Sequence, residues 1–458
     1  MRIALINPPY PSSIFSPILK FLHLKDDYCF PLGLGYIAAY TRRAGHTVQI
    51  FDPEPCRMPL EVMWEKVKEF KPDVIGITAA TPGFPQAREL AIEAKKRFNC
   101  LVIMGGPHAT ALPRSTVHGV AGLDAVITGE GEVPLLALAE EFDARGKVDF
   151  NKVPGAAFLE NWKYRETQRA EPVADLDNLP YPARDLVDIG AYYRHPYFVL
   201  AKKSATIISS RGCPSQCTFC ANICMGRKFR PHSPAYIIGE IEHLLKNYGI
   251  RHFKIYDDCF TADPRRAADI CDLIIQKRLA ITWEAFGRVN TLADEALAAK
   301  MKKAGCNQVL LGIESGSQAI LDLMKKGTTL AMAEKCCAAL RKQGMTYANS
   351  FIIGNDGETE ETINATIAFA KKLKSDMATF IIMIPFPGTP LFDKYYKDYD
   401  RPDTDWNNWC SQRFSRPYEP RQTALSMAEL VSMQHNAFGR FNRAPAQWLR
   451  STIYNFRF

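Results

Sequence analysis

No part of this 458-residue sequence is apolar for long enough to cross a membrane as a helix. Its purely apolar runs stay short, Phe380–Ile384 among them, against the roughly 20 residues that a span requires. Low-complexity tracts are missing. The opening Met1-Arg2-Ile3-Ala4-Leu5-Ile6-Asn7-Pro8-Pro9 reads as a strand and a turn, without the apolar core and cleavage site of a secretory leader. These absences set the expectation of a cytoplasmic protein. Two phosphate-binding fingerprints are also missing: no GxGxxG follows the first strand-like run, and no GxxxxGK[ST] occurs anywhere. Neither sign of charge dominates. The net charge of +8 suits a site for anionic cofactors as well as one for nucleic acid, and selects neither.

What the chain does hold is cysteine, 13 residues of it. An odd count in a large chain without an export signal excludes a disulfide framework as the organising device. Cys29, Cys100, Cys271 and Cys306 stand alone and read as small buried hydrophobes. Cys213, Cys217, Cys220 and Cys224 fall close together.

The fold class is α/β. Over 1–150, strand-like runs at Ile3–Ile6, Thr47–Phe51, Val74–Thr78, Leu101–Met104 and Ala125–Thr128 alternate with helical patterns, which predicts a doubly wound parallel sheet, Rossmann-like. Such sheets bind ligands beyond the carboxyl ends of their strands. The turns there carry Asn7 and Pro8, Thr78, Gly105-Gly106-Pro107-His108 and Gly129-Glu130-Gly131-Glu132, rich in residues that let a ligand approach the backbone. Residues 151–200, with Leu179-Pro180-Tyr181-Pro182, read as a linker. A second alternation over 201–395, with strands at Thr206–Ser209, Phe253–Tyr256, Thr282–Phe286, Gln308–Leu311, Ala348–Ile353 and Thr379–Ile384, predicts a partial (β/α)6 barrel. Its site should open at the C-terminal ends of the strands. Residues 396–458 read as mainly helical. The stretch from Leu430 onward has four arginines, no acid, and Trp448, Tyr454, Phe456 and Phe458. It would pack on the barrel mouth or, alternatively, touch a membrane surface.

The loop after the first barrel strand reads Ser210-Arg211-Gly212-Cys213-Pro214-Ser215-Gln216-Cys217-Thr218-Phe219-Cys220, a CxxxCxxC pattern. Thiolates on a short loop hold iron–sulfur clusters. Three thiolates on a cubane of four irons leave one iron open. The alternative is a zinc knuckle completed by Cys224 or His232.

This motif, its Arg-Gly-Cys-Pro opening and the six βα units resemble the radical S-adenosylmethionine superfamily. The first sheet resembles the cobalamin-binding domain that precedes the barrel in the subgroup of radical methyltransferases and the anaerobic magnesium-protoporphyrin ester cyclase. The resemblance implies a 4Fe-4S cluster on Cys213, Cys217 and Cys220, with S-adenosylmethionine at the open iron and cobalamin at the first sheet. It implies that Phe219 packs near adenine, that Asp257 or Asp258 takes the cofactor ammonium and Arg288 its carboxylate, and that Glu314 meets the ribose or methionine part. Pro385 and Pro387 match the sixth-strand turn. Asn7, Pro8, Thr78, Gly105, Gly106, His108, Gly129 and Glu130 would lie around cobalamin.

Two departures stand out. Ile353-Gly354-Asn355-Asp356-Gly357-Glu358-Thr359 replaces the family's Leu-Pro-Gly-Glu-Thr, and the first sheet has no DxHxxG to supply an axial histidine. The implied activity is methylation of an unactivated carbon in a small-molecule or lipid-like substrate, with an electron donor such as flavodoxin or ferredoxin. Alternatives are an oxidoreductase or cyclase without methyl transfer, a nucleic-acid modifier, and a non-catalytic metal-binding scaffold.

Overall fold

The computed structural model describes residues 1–9, 28–192, 204–407, 409 and 419–442. The basic aromatic tail from 443 onward, with Trp448, Tyr454, Phe456 and Phe458, lies outside the described residues.

The first sheet has seven strands, β1 (Arg2–Ile6), β2 (Thr47–Phe51), β3 (Val74–Thr78), β4 (Leu101–Gly105), β5 (Ala125–Ile127), β6 (Ala156–Glu160) and β7 (Lys163–Glu166), in the order β2-β1-β3-β4-β5-β6-β7. The first five are parallel. Strand order turns back at β1, and a crevice at such a switch point is where doubly wound sheets bind ligands. Apolar residues bury on both faces, Ile3 and Leu5 on one, Ala4 and Ile6 on the other, as a sheet covered by helices on two sides requires.

The expected linker is corrected at its start. Strands β6 and β7 form an antiparallel hairpin on the edge of β5, turned by Asn161 and Trp162 at φ 51° and 62°. Two positive φ angles make the turn type that matches strand twist. An Asn-Trp turn carries none of the Asn-Gly signal, so sequence pattern passes over it. Further along, Arg184 pairs with Glu240 at 2.7 Å and donates to the Thr206 carbonyl, both ends buried, which braces this segment against the second sheet.

That sheet runs β15-β14-β13-β12-β11-β8, all parallel and in sequential order: β8 (Ser204–Ile207), β11 (His252–Ile255), β12 (Thr282–Gly287), β13 (Cys306–Glu314), β14 (Thr346–Ile353) and β15 (Met377–Ile382). It is an open barrel of six strands. A two-residue ribbon, β9 (Ser210–Arg211) against β10 (Arg230–Pro231), ties together the two ends of the cysteine loop. Helices form where their termini are written in sequence. Ser233 accepts from the Tyr236 amide to cap Pro234–Tyr248, and Gly249 ends it at φ 67°. Thr359 caps Glu360–Leu373, whose first turn is acidic and last turn basic.

The helix Met427–Asn442 packs on β15, where Gln434 Nε2 donates to the Phe380 carbonyl at 2.7 Å. Of the four cysteines read as buried, Cys271 and Cys306 are; Cys29, in extended chain before a helix, is exposed, and Cys100, in the turn before β4, is half-buried. Among the described residues, no helix is long and apolar enough to cross a membrane.

Candidate functional site

Cys213, Cys217 and Cys220 sit on one loop at the carboxyl end of the barrel, and backbone bonds hold that loop from three sides. The Cys213 amide donates to Gly226 at 3.3 Å, the Thr218 amide to Met324 at 3.0 Å, and the Leu391 amide back to Thr218 at 3.2 Å. The last of these comes from the first turn of the helix Pro390–Tyr395, which the Pro385–Thr389 turn leads into and so sets against the cysteine loop. Gly388 in that turn, at φ 85°, would bring a side chain against Ile223. Gly212, at φ 83°, would drive one into the Lys228 carbonyl.

All three thiols are free, and Cys220 is pushed up to about 11 by burial, then by Asp258, Cys217 and Cys213. Three soft donors on one short loop fit a cubane, in which each thiolate takes a different iron. Among the described residues, no three His, Cys, Asp or Glu side chains converge as ligands of a single ion. The zinc alternative also lacks its fourth ligand. His232 is buried, with Nδ1 3.1 Å from Asp177 and its ring stacked on Tyr236, while Cys224 faces another cavity.

Around the cysteine loop, the barrel strands end in charge. Glu314 closes β13 at φ 69°, a left-handed conformation costly for a side chain of its size. Its Oε1 is 2.6 Å from Lys326 Nζ, and the pair is almost fully buried. A side chain at Gly312 would strike both. Lys326 Nζ also lies 5.7 Å from the centre of the Phe219 ring. Phe219 packs against the buried cluster of Ile320, Leu321 and Met324. Arg288 donates to the Lys326 carbonyl at 2.7 Å and to Ser215 Oγ, so its guanidinium spans the fourth-strand loop and the cysteine loop.

The two acids after β11 part company. Asp257 is fully buried and accepts from the amides and hydroxyls of Ser209 and Ser210, which leaves it no free lone pair directed at a ligand. It is corrected from a candidate ammonium acceptor to the residue that pins the chain entering β9. Asp258 faces the cysteine loop instead, accepting from Asn222 Nδ2 at 3.3 Å. Enclosure and then the adjacent Asp257 raise its carboxyl above the usual range.

A second cavity, of about 220 Å³, opens at the carboxyl ends of the first sheet. Thr78, Gly105, Gly106, Gly129 and Glu130 line it. Gly106, at φ 95°, has backbone of Ala79 where a Cβ would go, and a Cβ on Gly131 would strike Ile37. The opposite wall comes from the cysteine loop and its approach: Ile208, Arg211, Cys224 and Met225. The lining is mainly apolar, with two buried donors, Arg211 Nε and the Tyr36 hydroxyl, left without a partner. A glycine-lined apolar cradle with an unsatisfied cationic edge has the chemistry to let one face of a flat macrocycle such as that of cobalamin approach the backbone, and its volume takes part of that group.

Three expectations fail here. Asn7 and Pro8 are off the cavity; Asn7 Nδ2 instead donates to Asp52 at 3.2 Å. His108 points into the protein core, its ring stacked 3.9 Å from Phe84 and edge-on to Trp406, with Thr81 at 3.1 Å. Burial pushes it down to about 3, so it stays neutral. A turn histidine gives no sign in sequence of which way it faces. Glu130 reaches the cavity, but its oxygens are held by Arg211 and Arg230. Sequence reasoning missed Gly33, Tyr36, Ile37 and Leu135, which line the cavity from two helices and carry no motif.

A cluster-ready cysteine loop on an open barrel, sharing a cavity wall with a doubly wound sheet, defines a two-cofactor radical enzyme. Residues 207–370 match the Radical SAM superfamily, and residues 26–139 match the B12 binding domain. An uncharacterized methyltransferase of Pyrococcus horikoshii, PH0819, is 36% identical over 86% of this chain and 83% of its own length. The anaerobic magnesium-protoporphyrin IX monomethyl ester cyclase of Rubrivivax gelatinosus is 30% identical over 80% of this chain and 66% of its own. In fold, the radical S-adenosylmethionine methyltransferase TsrM from Kitasatospora setae, solved with cobalamin and a [4Fe-4S] cluster, matches at a TM-score of 0.70 and 20% identity over 94% of this chain and 80% of that one. The chain belongs to the radical S-adenosylmethionine enzymes that carry a B12-binding domain.

Proposed function

We propose that the protein is a cobalamin-dependent radical methyltransferase acting on an unactivated carbon of a small-molecule or lipid-like substrate. The observation that carries this is the shared wall: Arg211, two residues before Cys213, lines the cavity at the first sheet, so the cluster loop and the cobalamin cradle form one site. When bound, the cluster with S-adenosylmethionine supplies a 5′-deoxyadenosyl radical, and cobalamin supplies the methyl group.

The chain's own residues bind and orient. Cys213, Cys217 and Cys220 hold the cluster and leave one position open. Asp258 accepts the ammonium of S-adenosylmethionine, a charge-assisted bond. Phe219 offers an apolar face to its adenine. Glu314, poised by Lys326, takes its ribose hydroxyls. Arg288 fixes the cysteine loop against the fourth-strand loop and directs positive charge toward the cofactor carboxylate. Pro385 and Pro387 shape the turn that braces Thr218. In the cradle, Thr78, Gly105, Gly106 and Gly129 let cobalamin approach the backbone. The protein works in the cytoplasm, with a flavodoxin or ferredoxin as electron donor.

The likeness to the cyclase keeps one rival, a radical oxidation without methyl transfer. An anaerobic reaction with reconstituted cluster, cobalamin, reductant, S-adenosylmethionine and a substrate panel separates the two. Substrate-dependent 5′-deoxyadenosine and S-adenosylhomocysteine rising together support methyl transfer; deoxyadenosine alone sinks it.

A further inference from the structure

Four charged side chains are buried where the first domain meets the ribbon at the base of the cysteine loop, two from each side. Glu130 lies in the turn after β5 and Glu132 opens the helix that follows it; Arg211 comes from β9 and Arg230 from β10. Arg211 Nη1 is 2.8 Å from Glu130 and Nη2 is 2.6 Å from Glu132, while Arg230 takes the other oxygen of Glu130. The charges balance, two against two. Burying such a group is expensive for stability, and apolar replacements often serve a fold as well. Its presence here calls for a positional reason.

Three features of Arg211 supply one. Its guanidinium is forked across two carboxylates of the first domain, a geometry that arginine holds and lysine does not. Its remaining Nε–H is buried without a partner, on a side chain that lines the cobalamin cradle over the Tyr36 ring at 5.0 Å. Its chain connection to Cys213 is a single glycine, wedged against the Lys228 carbonyl at φ 83°. A shift of Arg211 therefore has little slack to dissipate before it reaches the first cluster cysteine.

We infer that Arg211 is a positioning residue that ties the cluster loop to the occupant of the cobalamin cradle, so that cobalamin binding and S-adenosylmethionine binding are thermodynamically coupled. An acceptor on cobalamin that takes the free Nε–H fixes the guanidinium in its fork, and the ordered loop then holds Cys213 in place for the second ligand. The inference rests on the cradle taking cobalamin.

The test is a binding cycle, not a turnover assay. S-adenosylmethionine affinity is measured anaerobically on the cluster-reconstituted protein, with and without hydroxocobalamin, alongside the electron paramagnetic resonance spectrum of the reduced cluster. The wild type should bind S-adenosylmethionine about tenfold tighter with cobalamin present, about 1.4 kcal/mol of coupling, with a cobalamin-dependent change in the cluster signal. In Arg211→Lys the coupling should fall below about twofold and the cluster signal should ignore cobalamin. Glu132→Gln, which keeps the shape of the network, should weaken the coupling in the same direction and covers a failure of Arg211→Lys to fold. Coupling absent in the wild type, or unchanged in both variants, overturns the inference. A wild type that takes up no cobalamin fails earlier and for a separate reason: the cradle is then misassigned, and the inference falls with it.

Discussion

Lys326 Nζ lies 2.6 Å from Glu314 Oε1, and Glu314 is the residue that ends a barrel strand in left-handed backbone. The pair sits in the small volume where Phe219, Arg288 and the cluster loop meet. Removing one partner strands the other as a buried charge. Lys326→Met should therefore destabilise the protein by about 3 kcal/mol, and the double variant Lys326→Met/Glu314→Gln should recover most of that loss. Denaturant melts of the wild type and the two variants measure it. If the double variant is as unstable as the single one, Lys326 acts by packing rather than by pairing.

The cysteines should divide three to one. Alanine at Cys213, Cys217 or Cys220 should remove most of the bound iron and all deoxyadenosine formation. Cys224→Ala should retain full iron, because this cysteine lines the cobalamin cradle and its thiol donates to Thr110 Oγ1 at 3.5 Å. Any disturbance in that variant should appear in the cobalamin absorption spectrum. Iron loss in Cys224→Ala would make it a cluster residue after all.

His108 should be dispensable for cobalamin. It is neutral and sandwiched between Phe84 and Trp406. His108→Phe should leave cobalamin affinity and the nitrogen hyperfine pattern of the reduced cobalt unchanged. Loss of a nitrogen coupling in that variant would place an imidazole on the metal.

Much of the fold was legible because strand and helix periods alternate cleanly and glycine, proline and cap residues mark the ends, as at Ser233 and Gly249. The cysteine spacing and the glycines at strand ends were equally readable, since both reflect local requirements. What escaped was tertiary pairing. A carboxylate after a strand looks the same whether it meets a ligand or an arginine from 81 residues away, and Glu130 meets Arg211. Asp257 and Asp258 are neighbours in sequence, yet backbone direction alone sends one into the Ser209–Ser210 turn and the other toward the cluster loop. Tyr36 and Gly33 sit on a plain amphipathic helix and gave no cue.

The departure at Asn355-Asp356 builds a different turn without opening it. Glu358 accepts from the Asn355 amide at 2.9 Å, and burial pushes its carboxyl up to about 7. A raised carboxyl binds its proton more tightly folded than unfolded. Stability from this group is therefore greatest below about pH 4.5 and falls as pH rises from there to about 7. The loss amounts to about 3 kcal/mol. Glu358→Gln should flatten the profile and melt higher than wild type at pH 8, while differing little at pH 5. A wild-type profile that rises over this window would contradict the assignment.

The central claim is that cobalamin fills the cradle between the first sheet and the cluster loop. Gly33 lines that cradle from within a helix, and nothing lies within 4 Å of where its Cβ would be. Gly33 is exposed at the rim of the cavity, so Gly33→Trp sets a large ring at the cavity mouth without straining the backbone. The decisive measurement is cobalamin binding to this variant after cluster reconstitution. The account predicts cobalamin uptake reduced at least about tenfold, more than 1 kcal/mol, with iron content and melting temperature close to wild type. Undiminished cobalamin binding by a folded, iron-replete Gly33→Trp protein would contradict it.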